Sequence, residues 1–371
     1  MKKQVIVHFG AGALGRGLVI PLLVESGCDV VIVDANELLN RELNENKNYI
    51  VDISDEPQEG RKHTIPIVEA LSPMKDLQKI SGYMMQVTTV TTSVKRENLI
   101  HVARTIAKTW GNSAGEGRKV FCCENVEHVG EFFHNLLVGA AENEEQRENL
   151  NRVIVPDTIV DRICAANWPE TSVITSEKFH ECAVDARVVN DTGIALITST
   201  DNIRGAFARK RFLVNTYADA ISFLAIQEKM HYLYEAAESE RINRRVAPFI
   251  SMLKTLLVLE YGCDKKELDM WAVKYQKRLS NAEIPRELNT VARNLWQKLT
   301  LDERFIFPVV MLMKRGVNIS EAVDFIINLI KAGIYSEGKT MDEQEVGARL
   351  KELWGKSEEG KRLYRMVMKK Y

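Results

Sequence analysis

The segment VIVHFGAGALGRG, residues 5–17, constrains this chain more than any other stretch. Gly10, Gly12 and Gly15 fall at the spacing GxGxxG, a pattern that glycines also produce by chance. Its context gives it weight. An apolar run at 5–9 reads as a strand, and 14–26 reads as a helix stopped by Gly27. A second apolar strand at 29–33 runs into Asp34, 19 residues after Gly15. Strand, glycine turn, helix, strand and acidic residue in that order are the parts of a dinucleotide-binding βαβ unit.

Each part has a task. Gly10 permits a tight turn, Gly12 lets the backbone approach a pyrophosphate, and Gly15 allows helix and strand to pack closely. The helix start at Ala13 and Leu14 offers N–H groups and a partial positive charge to phosphate. Asp34 can accept hydrogen bonds from the two adenosine ribose hydroxyls. It also repels a 2′-phosphate, and Ala35 and Asn36 bring no compensating base, so the expected cofactor is NAD rather than NADP. Arg16 reads equally as a pyrophosphate neighbour and as an exposed helix residue. His8, inside the strand, reads as a satisfied core histidine.

The rest of the first half continues the alternation. Residues 49–53 and 64–68 read as a short paired excursion, and 83–88 and 120–123 as further strands with a helix at 96–110 between them. Thr88, Thr89, Thr91 and Thr92 then fall at or beyond the carboxyl end of the strand beginning at Tyr83. Thr89 is the expected cofactor contact there. Strand-like runs recur at 153–155, 182–184 and 195–197. From about residue 202 the period becomes helical: 249–261 before Gly262, 320–332 from Ser320 to a stop at Gly333, and 342–354 before Gly355. The expected fold is α/β. An N-terminal doubly wound Rossmann sheet over 1–200 precedes a mostly α-helical substrate and catalytic domain over 201–371.

Charge narrows the partners. Fifty Lys+Arg against 51 Asp+Glu leave a net charge of −1, no footprint for nucleic acid. The apolar runs fall far short of the roughly 20 residues that span a membrane, so the expected compartment is the cytoplasm. The six cysteines form no CxxC pair and no zinc-like Cys/His spacing, so no metal is expected. Tyr-x-x-x-Lys spacing at Tyr261/Lys265 and Tyr335/Lys339 lies in the helical half beside glycines and reads as chance. Three polar segments stand out instead: CCENVEHVG (122–130), with Glu124 and Asn125 just beyond a strand; VDRI (160–163), with Asp161 and Arg162; and RKRFLVNTYADA (209–220), with Lys210 and Asn215. By composition alone each is an ordinary polar residue. The tryptophans Trp168, Trp271 and Trp296 read as core packing.

HFGAGxxGRG, C-E-N, V-D-R-I and KxxxxN, in that order and at these separations, resemble the polyol-specific long-chain dehydrogenase/reductase, or mannitol dehydrogenase, family. The resemblance covers most of the chain and is densest over 5–34 and 120–217. It implies metal-independent oxidation of a secondary alcohol with NAD, as in fructose 6-phosphate from mannitol 1-phosphate. The substrate is then a sugar alcohol or sugar phosphate. By the same resemblance Lys210 is the general acid/base, Asn125 and Asn215 polarise the carbonyl, and Asp161, Arg162, Arg293 and Lys298 belong to the substrate region, with Arg278 and Arg304 as further basic candidates. The family pattern KxxxxNxxH is broken here, because Ala218 stands where a histidine is expected. That departure keeps two alternatives open: a hexuronate reductase of the tagaturonate or fructuronate type, and an NAD-binding protein with little turnover.

Overall fold

A computed structural model describes residues 3–113, 115–166 and 172–371. Trp168 lies outside the described residues. The chain divides into two compact units, Met1–Ile203 and Arg204–Tyr371.

The first unit is built on five parallel strands in the order β5-β2-β1-β6-β7. They are β1 (Val5–Phe9), β2 (Asp29–Val33), β5 (Glu69–Leu71), β6 (Thr89–Thr92) and β7 (Lys119–Cys122). β1 and β2 are largely apolar runs because both faces are covered, the usual reason parallel strands lose their alternation. On one face lie α1 (Ile20–Glu25) and α2 (Glu37–Asn46), with Leu18, Leu22, Leu39 and Leu43 in the core. On the other lie α3 (Leu77–Met84), α4 (Leu99–Trp110), α5 (Val129–Gly139) and α6 (Glu144–Asn151), with Ile80, Ile106, Trp110 and Phe133 buried. The chain leaves β1 toward β2 on one side and later returns to its other side as β6. That reversal of strand order puts a crevice at the carboxyl ends of β1 and β6, where this fold class binds ligands.

The expected hairpin is β3 (Asn48–Ile53) with β4 (Lys62–Pro66), antiparallel with Tyr49 opposite Ile65. Two more strands extend it, giving the order β4-β3-β10-β9, with β9 at Cys164–Ala166 and β10 at Val173–Ser176. A third sheet, β12-β11-β8, comprises β8 (Thr158–Asp161), β11 (Glu181–Asp185) and β12 (Thr198–Thr200). Three expectations fail here. The run 153–155 forms only an isolated parallel bridge, Ile154 with Lys119, rather than a strand. The run 83–88 is not a strand: it holds the end of α3 and the connection to β6, because Ile80 and Met84, four apart, turn into the core as one helical face. The run 195–197 precedes β12 rather than forming it.

The second unit is helical. Helix α7 (Ile203–Arg209) leads through a π-helical turn, Lys210–Asn215, into α8 (Thr216–Gln227). Residues 216–225 are buried all round, the mark of a central helix. It is packed by α9 (Leu233–Glu238), α10 (Glu240–Tyr261), the short α12 (Leu288–Val291) and α15 (Ser320–Ser336). The other helices of this unit are α11 (Lys265–Leu279), α13 (Leu295–Lys298), α14 (Phe307–Lys314), α16 (Glu343–Trp354) and α17 (Glu358–Met368). The ends of α10 follow from capping. The Ser239 hydroxyl accepts from the Ile242 N–H, and Gly262 closes the helix at φ +64°. Gly333 is not the stop the sequence suggests. It lies inside α15, where an added Cβ would stand 2.5 Å from a Leu295 methyl carbon, so it is a close-packing residue. The large buried indoles are Trp110 and Trp354. Trp271 is half-buried and carries the Arg209 guanidinium 4.0 Å above its ring. Trp296, also half-buried, lies beneath Arg349.

Candidate active site

The first unit supplies a nucleotide-binding turn. Gly10 sits at φ +101°, and a Cβ there would stand 2.7 Å from the Ser93 carbonyl oxygen. At Gly15 a Cβ would meet the Gly10 carbonyl oxygen at 2.2 Å and the Ser93 hydroxyl at 2.5 Å, so helix and strand touch through bare backbone. Gly12 is the contrast, exposed with nothing within 4 Å of its would-be Cβ, which leaves room for a ligand to approach the main chain. Ala13 and Leu14 follow in the first turn, whose N–H groups have no partner within the helix itself. The Asp34 carboxylate reaches the turn directly. Its Oδ2 accepts from the Ala11 N–H at 2.6 Å and its Oδ1 from the Asn36 N–H at 2.7 Å.

The turn runs into a π-helical stretch, Gly15–Val19, in which the Ile20 N–H donates to the Gly15 carbonyl. Arg16 lies within it and is buried, which overturns the reading of an exposed helix residue. Its Nε donates to the Ala11 carbonyl at 2.7 Å, and the Tyr49 hydroxyl donates to the Arg16 carbonyl at 2.7 Å. Arg162 braces the same stretch, donating to the Gly17 carbonyl at 2.8 Å and the Glu177 carbonyl at 2.6 Å. Two of its guanidinium nitrogens are thereby held by main-chain carbonyls. Asp161, one residue earlier in β8, is buried.

The other wall of the turn bears out the reading of His8 as a satisfied core histidine and adds Ser93, which sequence reasoning passes over. His8 is fully buried, with Nδ1 2.7 Å from the Thr91 hydroxyl and Nε2 2.9 Å from the Ser93 hydroxyl. Ser93 donates its own proton to the Gly10 carbonyl at 2.9 Å, so it can only accept from His8. Nε2 therefore carries the imidazole hydrogen and Nδ1 accepts from Thr91. Burial holds this histidine neutral, with its pKa lowered to about 4. Beyond Ser93, the buried Glu124 accepts from the Thr92 hydroxyl at 2.8 and 2.9 Å and from the Val94 N–H at 2.9 Å. Burial pushes its carboxyl up to about 7. The polar make-up of β6 itself, TVTT followed by Ser93, was the available signal. Thr89 lies at the opposite, amino end of β6, buried and paired with Lys119, because the strand begins there and not at Tyr83. Thr92 and Ser93 occupy the carboxyl end. Asn125 is exposed just past Glu124.

The second unit presents Lys210, Asn215 and Ala218. In an α-helix, residues five apart point about 140° from each other, from 3.6 residues per turn. The backbone over Lys210–Asn215 is π-helical, with the Thr216 N–H donating to the Arg211 carbonyl in i→i+5 register. That wider register narrows the angle between residues five apart, which turns Lys210 and Asn215 toward one face. Both are half-buried, while Phe212, Leu213 and Val214 turn into the core. Ala218 follows Asn215 by three in α8, on the same side by helical spacing. It is buried and offers no polar atom.

Asp219, next along α8, is buried and held in ion pairs. Its carboxylate accepts from Lys298 Nζ at 2.8 Å and from Arg304 Nη1 at 3.0 Å. Burial pushes Asp219 up and Lys298 down, and each charge opposes the other's shift. Lys298 also donates to the Val291 carbonyl at 2.9 Å. Arg293 is exposed nearby on the chain, whereas Arg278 is buried over the Tyr275 ring. Among the described residues, no group of three or more His, Cys, Asp or Glu could hold a metal ion, and no helix is long and apolar enough to cross a membrane.

Known proteins match this chain over most of its length. A family model described as the mannitol dehydrogenase Rossmann domain matches residues 4–197. A mannitol-1-phosphate 5-dehydrogenase from Bacillus velezensis is 30% identical over 82% of this chain and 82% of its own length. One from Alternaria alternata is 27% identical over 92% of this chain and 87% of its own. In fold, the chain is similar to Pseudomonas fluorescens mannitol 2-dehydrogenase, solved with NAD and D-mannitol, at TM-score 0.69 and 14% identity, covering 99% of this chain and 91% of that one. It is also similar to a D-sorbitol dehydrogenase at TM-score 0.77 and 14% identity, covering 99% and 92%.

Proposed function

The chain belongs to the mannitol dehydrogenase family of oxidoreductases, and from that premise we propose that it interconverts a polyol phosphate and its ketose phosphate with NAD. The pair is of the mannitol 1-phosphate and fructose 6-phosphate type. The carrying observation is that the likeness to mannitol-1-phosphate 5-dehydrogenases spans 92% of the chain, well beyond the nucleotide-binding half.

The turn fits a dinucleotide. Gly12, Ala13 and Leu14 would offer backbone to the pyrophosphate, and the Asp34 carboxylate would accept from the ribose hydroxyls in place of its present backbone donors. NAD, when bound, supplies the hydride acceptor. The rest is work for side chains. Lys210 takes the proton of the reacting hydroxyl, and Asn215, turned toward the same face by the π turn, donates to the same oxygen as it becomes a carbonyl. Asn125 is the proposed second donor to that oxygen. Lys298 and Arg293 are proposed for the anionic end of the substrate, with Lys298 held in place by Asp219.

Ala218 favours a second reading, a hexuronate reductase, because loss of a polar side chain alters which hydroxyls are read. One assay separates them: NADH oxidation by purified protein with fructose 6-phosphate, fructose, tagaturonate and fructuronate. Turnover confined to fructose 6-phosphate is expected. Turnover confined to a hexuronate replaces the reading with the second, and NADH binding without turnover on any ketose overturns both.

A further inference from the structure

We propose that Glu124 is a positioning residue for the nucleotide turn, acting through Ser93; this rests on the dehydrogenase reading above. Glu124 ends the run that follows β7 and is buried, whereas its neighbour Asn125 is exposed. Its carboxylate holds the residues on both sides of Ser93: the Thr92 hydroxyl and the Val94 N–H both donate to it. Ser93 is thereby fixed between them. Its N–H donates to the Phe9 carbonyl at 2.8 Å and its hydroxyl to the Gly10 carbonyl at 2.9 Å, with His8 behind. The Ser93 carbonyl and a Val94 methyl carbon lie 2.7 and 2.9 Å from where a Gly10 Cβ would stand, so this segment is the wall that shapes the turn.

The chemistry of the clamp is specific to an acceptor. A carboxylate offers no donor while ionised, so both neighbours must point toward it and Ser93 has one orientation left. Among the described residues no cation pairs with Glu124, and burial pushes its carboxyl up to about 7. Burying an acid without a counter-charge is unfavourable for folding, and such local costs collect where geometry serves a site.

The test uses the full chain and NADH fluorescence titration, with melting temperature recorded in parallel. Glu124→Ala and Thr92→Val should each weaken NADH binding, by about tenfold for the alanine variant, and the double variant should be no weaker than Glu124→Ala alone, because both act through one network. Glu124→Gln, which can still accept from Val94, should recover affinity to within about threefold of wild type. If Glu124→Ala does not fold, Thr92→Val and Glu124→Gln decide. Unchanged NADH affinity in Thr92→Val and in whichever Glu124 variants fold overturns the proposal, as does additive loss in the double variant. Wild-type protein that binds neither NADH nor NADPH instead overturns the dehydrogenase reading, and this role with it.

Discussion

The Asp34 carboxylate accepts the Ala11 N–H at 2.6 Å, joining the end of β2 to the glycine turn that follows β1. The residue expected to read a ribose therefore also holds the turn beside it. Asp34→Ala should weaken NADH binding by roughly tenfold, the worth of one charge-assisted hydrogen bond. It should also shrink the preference for NADH over NADPH, because the charge that repels a 2′-phosphate is gone. Dissociation constants for both cofactors check this; an unchanged ratio would place the ribose contact elsewhere.

Lys210 and Asn215 share a face only because the backbone between them is π-helical. Lys210→Ala should lower kcat by roughly 10²–10⁴-fold, the usual loss when an acid/base is removed, with NADH affinity within about threefold of wild type. Turnover that survives would remove Lys210 from the mechanism.

Asp219 bridges Lys298 and Arg304 inside the helical unit. Removing one partner of a buried pair typically costs about 3–5 kcal/mol, discounted here because Arg304 is partly exposed. Asp219→Asn should lower the melting temperature by several degrees, and Asp219→Asn combined with Lys298→Met should recover part of it. Strictly additive losses in thermal melts would show that the pair is not coupled.

His8 and Glu124 give stability opposite pH dependences. The His8 pKa falls from 6.5 to about 4 on folding, so its contribution is present above 6.5 and is lost as pH falls toward 4. The Glu124 pKa rises from 4.5 to about 7, so its contribution is present below 4.5 and is lost as pH rises through 7. Each shift corresponds to about 3 kcal/mol between its limits. Glu124→Gln should therefore gain stability relative to wild type as pH is raised from 5 to 8.5. Melting curves that stay parallel across that range would contradict the assignment.

The sequence by itself determined what depends on residues near one another along the chain. The glycine spacing, the apolar runs of β1 and β2 and the acid at their end specify a βαβ nucleotide turn, since each part is a local requirement of backbone conformation or phosphate approach. The Gly262 stop was legible for the same reason. Only the tertiary structure decided which polar residues meet. Nothing local distinguishes Arg16 and Arg162, which brace carbonyls of the turn, from arginines that would face a substrate. Thr89 looked like a contact until Met84 turned inward as the end of a helix and moved the strand's start. Ser93, His8 and Glu124 come together because parallel strands bring residues some 30 to 85 apart into one layer. The π turn that aligns Lys210 with Asn215 is likewise invisible in a pattern read at 3.6 residues per turn, because only packing of Phe212, Leu213 and Val214 into the core selects it.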